Sequence, residues 1–154
     1  MPSPSTPTMT DCNCRVMRQA SRTVTAFYDR HLAPAGLRIS QFGILATLKH
    51  KGPLTINELA AELILDRTTL GRNILPLQRD GLITVKASAS DRRSKELSLS
   101  SDGEKIYREA RKYWLEAQTE FEATFGDKRA FDLRVLLKDI VTGEVGASTA
   151  ASLS

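Results

Sequence analysis

Three groups of side chains in this 154-residue chain could do chemistry. Cys12 and Cys14 are its two thiols. Arg67, Thr68, Thr69, Arg72 and Asn73 crowd hydrogen-bond donors onto seven consecutive positions. Asp91, Arg92, Arg93 and Lys95 place three cations and one carboxylate within five. The last two groups are of the types that bond phosphates and base edges. The thiols are poor metal ligands, because in a helix residues i and i+2 point about 200° apart and cannot face one ion. An intramolecular disulfide meets the same obstacle unless the segment unwinds. Reactivity is the better reading of Cys14, which stands near a predicted helix start beside Arg15 and Arg18, an electropositive setting of the kind reactive thiols use. Cys12 would then be the resolving thiol after oxidation. The alternative is that both cysteines only pack against apolar neighbours. His31 and His50 stand apart and read as surface or core residues. The chain shows no Gly-rich phosphate loop, no metal-ligand cluster and no nucleophile with a placed base. It therefore does not read as an enzyme, and no cofactor or metal is expected.

The elements that must position these residues are mostly helical. Val16, Ala20, Val24, Phe27 and Leu32 give an amphipathic helix over 12–33, stopped by Pro34 and Gly36. Ser40 is placed to cap a second helix carrying Phe42, Leu45 and Leu48. Thr55 and Glu58 form a capping box for a short third helix. Asp66 caps a fourth, running to Gly81, with Pro76 bending it or tightening its last turn. The period then changes to two. Leu82–Ala87 and Leu97–Ser100 read as strands joined by a polar loop, Ser88 to Lys95. Ser101 and Glu104 form a second capping box, opening a long helix to about Phe125. Asp127 caps a final helix ended by Gly143 or Gly146.

Composition bounds the rest. A 41% hydrophobic share and 26% charged residues suit one globular domain. No apolar run approaches a membrane span, and MPSPSTPTMT has no signal-peptide pattern. With so few cysteines the expected compartment is a reducing cytoplasm. Residues 1–10 read as a disordered arm, 11–146 as one domain and 147–154 as a flexible tail. The formal net charge is +4, unevenly spread. Residues 66–95 hold seven basic residues against three acidic, and 11–51 hold seven against two, whereas the remainder is acidic. A polyanion would meet the middle or the first segment.

The third and fourth helices are separated by Ile64, Leu65 and Asp66, a spacing that suits a helix-turn-helix, and the basic hairpin after them makes it winged. The fold class is thus mainly α with a small antiparallel β wing. The donors on the fourth helix sit where they would enter a major groove of double-stranded DNA. The two arginines of the hairpin tip could reach the adjacent minor groove. A protein–protein adaptor using the same fold without DNA is the alternative.

From residue 12 to about 142 the chain resembles the MarR family of transcriptional regulators. The resemblance is carried by Leu54-Thr55-Ile56-Asn57-Glu58-Leu59-Ala60, Arg67-Thr68-Thr69-Leu70, Leu77-Gln78-Arg79-Asp80-Gly81-Leu82-Ile83 and Asp91-Arg92-Arg93-Ser94-Lys95-Glu96-Leu97-Ser98-Leu99. It implies that Arg93 enters the minor groove and that Asp91 orients it. It also implies a homodimer held by helices 11–34 and 101–145 around a winged domain at 40–100, reading a pseudo-palindromic operator as a repressor. Trp114, Phe121, Phe125 and Phe131 independently suggest apolar surface in excess of what one winged domain covers. The family often binds small aromatic ligands between the dimer helices and the winged domain, where Tyr28, His31, Arg38, Phe42 and Trp114 are the candidates here. Cys14 has the register of the reactive cysteine in the organic-hydroperoxide-sensing branch. Tyr28 matches one tyrosine that supports that thiol, and Ile39 stands where the second would be.

Overall fold

The computed structural model describes residues 6–153, with side chains through 150. Its elements are α1 (Asn13–Leu32), α2 (Ile39–Lys51), β1 (Leu54–Thr55), α3 (Ile56–Leu63), α4 (Arg67–Arg79), β2 (Ile83–Ala87), β3 (Lys95–Leu99), α5 (Ser101–Phe125), α6 (Asp127–Thr142) and α7 (Glu144–Leu153). Short 3₁₀ turns, Met9–Asp11 and Ala33–Ala35, bracket α1. No described helix is long and apolar enough to cross a membrane.

The helix starts show how locally the sequence dictates the fold. Thr55 and Glu58 exchange the two bonds of a capping box: the Glu58 amide donates to Thr55 Oγ1, and the Thr55 amide to Glu58 Oε2. The Asp66 carboxylate accepts the Thr69 amide at 2.8 Å, as expected of a cap. Other expected caps fall one or two residues away. Arg38, not Ser40, is the N-cap of α2, and its amide donates to Gln41 Oε1. Ser100, not Ser101, caps α5, accepting the Gly103 amide at 2.9 Å. Gly126 precedes α6, so Asp127 is its first residue instead of its cap. The helix ends are as specific. Leu82 N donates to Leu77 O and Gly81 N to Gln78 O, with Gly81 left-handed at φ 73°. This double closure ends α4 and turns the chain into β2.

The sheet has three strands, not two. Order is β1-β3-β2, all antiparallel, with Leu54 opposite Leu97 and Ile83 opposite Leu99. The two-residue β1 is too short to show alternation. Leu45, Leu59, Leu70 and Leu77 form a continuous core under the sheet with Leu32 and Ile44, each at most 1% exposed. Truncating one of these to Ala would cost about 2–5 kcal/mol.

At the two ends the structure corrects the sequence reading. The disordered arm expected over 1–10 falls partly on residues 1–5, outside the described residues, and Met9 and Thr10 belong to a helical turn. The flexible tail expected from residue 147 is helical through Leu153. Gly143 ends α6 as its C-cap, as expected, and a further helix, α7, follows it. Small residues such as Ala147 and Ala150 bury little, and alanine favours helix strongly.

Candidate nucleic-acid interface

The winged unit turns two basic surfaces outward. On α4, Leu70, Ile74 and Leu77 are buried against the core, and this leaves Arg67, Thr68, Thr69 and Arg72 exposed, with Asn73 half-buried beside them. The side-chain period of a helix produces this split. Thr69 differs from its neighbours: its hydroxyl donates to Asp66 Oδ2 at 2.6 Å, so it is engaged within the helix start. These bonds from Thr69 hold the Asp66 carboxyl below the usual carboxylate range. Among the described residues, Arg67, Arg72, Arg92, Arg93 and Lys95 form no ion pair. By contrast, Arg79 meets Asp80, Lys49 meets Glu104 and Lys51 meets Glu62.

The hairpin tip carries Arg92 and Arg93, both exposed. Asp91 builds the turn that presents them. Its Oδ1 accepts the Arg93 amide at 2.9 Å, and its carbonyl accepts the Ser94 amide at 3.0 Å. This is an Asx-turn. Asp91 therefore acts on Arg93 through the backbone.

The comparisons with known proteins agree with this architecture. The profile of the MarR family matches residues 37–95. A curated HTH-type transcriptional regulator of Bacillus subtilis, YwoH, is 31% identical over 117 residues, 75% of this chain and 85% of that protein. The chain belongs to the MarR family. It is a DNA-binding transcription regulator of that family, with the winged-helix fold. The organic hydroperoxide resistance regulator of B. subtilis is 32% identical over 90 residues, 58% of this chain and 61% of that protein. Among solved structures, the Mycobacterium tuberculosis regulator MosR in complex with DNA has a TM-score of 0.71 at 37% identity, covering 81% of this chain and 92% of that one.

The other candidate residues of this MarR-family chain are dispersed. Cys12 stands outside α1 as its N-cap, with extended backbone (φ −66°, ψ 115°), and Cys14 is exposed two residues on. The helical angle that argued against their pairing thus does not apply to Cys12. Tyr28 is fourteen residues along α1 from Cys14, roughly 21 Å at the helical rise. Its hydroxyl donates to Gln118 Oε1 at 2.6 Å. Burial, aided by Glu122, raises that phenol above its ordinary value. His31 faces the Phe27 carbonyl with Nδ1 and Glu120 with Nε2, at 3.0 and 2.7 Å. These two contacts raise its imidazole above the usual range. Phe42 and Trp114 do come together, their rings stacked 6.0 Å apart, with Tyr107 stacked on Phe42 at 5.7 Å. Trp114 is thereby packed within the chain, and Phe121 and Phe125 stack on each other at 5.5 Å. Only Phe131 of the four large groups stands mostly exposed, at 58%. Arg38 is exposed at the start of α2.

A cavity of about 840 Å³ lies elsewhere, between the helix-turn-helix and α6–α7. Ala61, Ile64 and Leu65 form one wall and Val141, Val145 and Ala150 the other. Its two walls are about 80 residues apart in the chain, so no local pattern announces it.

Proposed function

We propose that this chain is a homodimeric repressor that grips double-stranded DNA with α4 in the major groove and the wing in the minor groove. The observation that carries the reading is the set of exposed cations without intrachain partners on these two elements. Arg67, Thr68, Arg72 and Asn73 are assigned to the groove and the phosphates flanking it, and Arg92, Arg93 and Lys95 to the wing. Thr69 contributes through the helix start it completes, and Asp91 through the turn it builds. Counterion release makes such binding salt-dependent. The test is a titration of a labelled duplex, selected by the protein from a random pool, at two salt concentrations. Arg93→Ala should weaken binding about ten-fold and lower the salt slope by about one. Unchanged affinity and slope would remove the wing from the interface.

The dimer reading rests on Phe131, Leu136, Leu137, Val141 and Val145, a run of exposed apolar groups on α6–α7, joined by Val16 and Met17 on α1. Large apolar groups crowded on one exposed helical segment mark an interaction surface. Leu136→Glu should shift the protein to half its mass in size-exclusion chromatography if this is the dimer face. Two control mechanisms fit the chain. A small aromatic effector has room in the cavity between the helix-turn-helix and α6–α7, whose volume suits such ligands. Filling it by Ala61→Phe should abolish any release of DNA by aromatic compounds. Thiol oxidation is favoured by the exposure of Cys14 and by the nearness of Cys12 in sequence.

A further inference from the structure

We propose that Ser88 and Glu96 form a lock that sets the position of the wing arginines, so that both act as positioning residues for DNA binding. The inference rests on the wing's assigned role and adds what holds the tip in place. Ser88 is 5% exposed, although every residue from 89 to 93 is exposed. It makes four bonds at the neck of the hairpin. Its amide donates to the Ser94 carbonyl at 2.8 Å, adding a rung beyond the last strand pair, Ala87 opposite Lys95. Its hydroxyl donates to Glu96 Oε1 at 2.7 Å, lies 3.0 Å from the Ser90 hydroxyl and accepts the Ser90 amide at 3.3 Å.

The partner gives the lock its reach. Glu96 lies on β3, the central strand, opposite Lys86 on one side and Thr55 on the other. Thr55 is the cap of α3. The carboxylate thus ties the neck of the wing to the central strand, whose backbone pairs in turn with the strand that precedes the helix-turn-helix. Two arginines on an untethered loop would lose conformational freedom on binding, and a tether removes part of that loss beforehand. A carboxylate acceptor is also stronger than a neutral one for a hydroxyl donor. Asp91 shapes the turn at the tip, whereas Ser88 and Glu96 fix the neck.

The experiment measures affinity and salt slope on the selected duplex for Ser88→Ala, Glu96→Ala, Glu96→Gln and the Ser88→Ala/Glu96→Ala pair, with tryptic cleavage after Arg92 and Arg93 as a second readout. Glu96→Ala should weaken binding about five-fold, as expected for one lost hydrogen bond, and Ser88→Ala, which also loses its two contacts to Ser90, at least as much. The pair should do no worse than Ser88→Ala alone, because that variant already removes the bond to Glu96. Glu96→Gln keeps an acceptor oxygen and should stay within about two-fold of wild type. Cleavage of the wing should accelerate in the alanine variants. In an Arg92→Ala/Arg93→Ala background, Ser88→Ala should have no further effect. An equal further loss there would show a general structural role and overturn the proposal. So would wild-type affinity in both alanine variants while the arginine pair is weakened. Full affinity in the Arg92→Ala/Arg93→Ala protein would instead overturn the wing's part in DNA binding, and the lock with it.

Discussion

Gly103, in the first turn of α5, lies so close against Leu82 that a Cβ at this position would overlap the Leu82 carbonyl oxygen. The same junction is tied by Ser100, whose hydroxyl donates to the Gly81 carbonyl at 2.5 Å and whose amide donates to Leu82 O at 3.1 Å. The end of α4, the start of β2 and the start of α5 therefore meet at one point, joining the DNA-reading unit to the long helix.

Gly103→Ala should accordingly destabilise the protein, by about 1–3 kcal/mol after the gain in helix propensity. The usual sign for Gly to Ala inside a helix is the opposite. Chemical denaturation gives the value, and a neutral or stabilising result would mean that the junction can relax.

Ile64 makes a second backbone prediction. It ends α3 in the left-handed region, at φ 51° and ψ 51°, where a β-branched residue is strained. Leu65 N donates to Ala60 O across it, closing the turn between α3 and α4. Ile64→Gly should raise stability by up to about 1 kcal/mol, relief of strain outweighing the freedom that Gly gains when unfolded. Because Ile64 also lines the cavity, the same variant should weaken any effector response. A loss of stability would mean that the apolar contacts of Ile64 matter more than its backbone.

Much of this was legible in the sequence, and the failures share a cause. The boxes at Thr55–Glu58 and the cap at Asp66 could be read because both partners are within three residues. The caps expected at Ser40, Ser101 and Asp127 lie one or two residues earlier, because several adjacent positions can begin a helix and local side-chain type alone does not choose among them. Ser100, for instance, is favoured over Ser101 by its bond to the Gly81 carbonyl, nineteen residues away. Of the candidate site, the exposed cations of α4 and the wing were visible as charge and period. Ser88 was not, since the run Ala87-Ser88-Ala89-Ser90 has no feature that singles out one small residue. Residue type alone does not separate an effector contact from a core contact, and Phe42 and Trp114 pack together against the core.

His31 predicts how stability responds to pH. Both ring nitrogens face acceptors, the Phe27 carbonyl and Glu120, which favours the protonated ring; Arg30 opposes this. A group whose folded value is raised stabilises the fold fully below its unfolded value, about 6.5, and loses that contribution as pH rises through the folded value. Wild type should therefore lose thermal stability between about pH 6 and 8 relative to His31→Gln. Parallel melting temperatures across this range would rule the ion pair out as a contributor.

The thiols give the last prediction. An organic hydroperoxide would oxidise Cys14, an S–O bond forming as the O–O bond breaks, to yield a sulfenic acid and an alcohol. The Cys12 thiol would then attack that sulfur, forming a disulfide and releasing water. The pair lies at the start of α1, where the Val16 amide donates to the Cys12 carbonyl at 3.1 Å, so a disulfide between them would act on the first turn of the helix. That turn begins a helix that packs on α5, so a change there would reach the long helix. Cys14→Ser should abolish release of DNA by cumene hydroperoxide. Cys12→Ser should still form the sulfenic acid, trapped by dimedone, but not the disulfide. Release that persists in Cys14→Ser would show that oxidation acts through some other group, and a wild type that holds its DNA under peroxide would leave the effector cavity as the control.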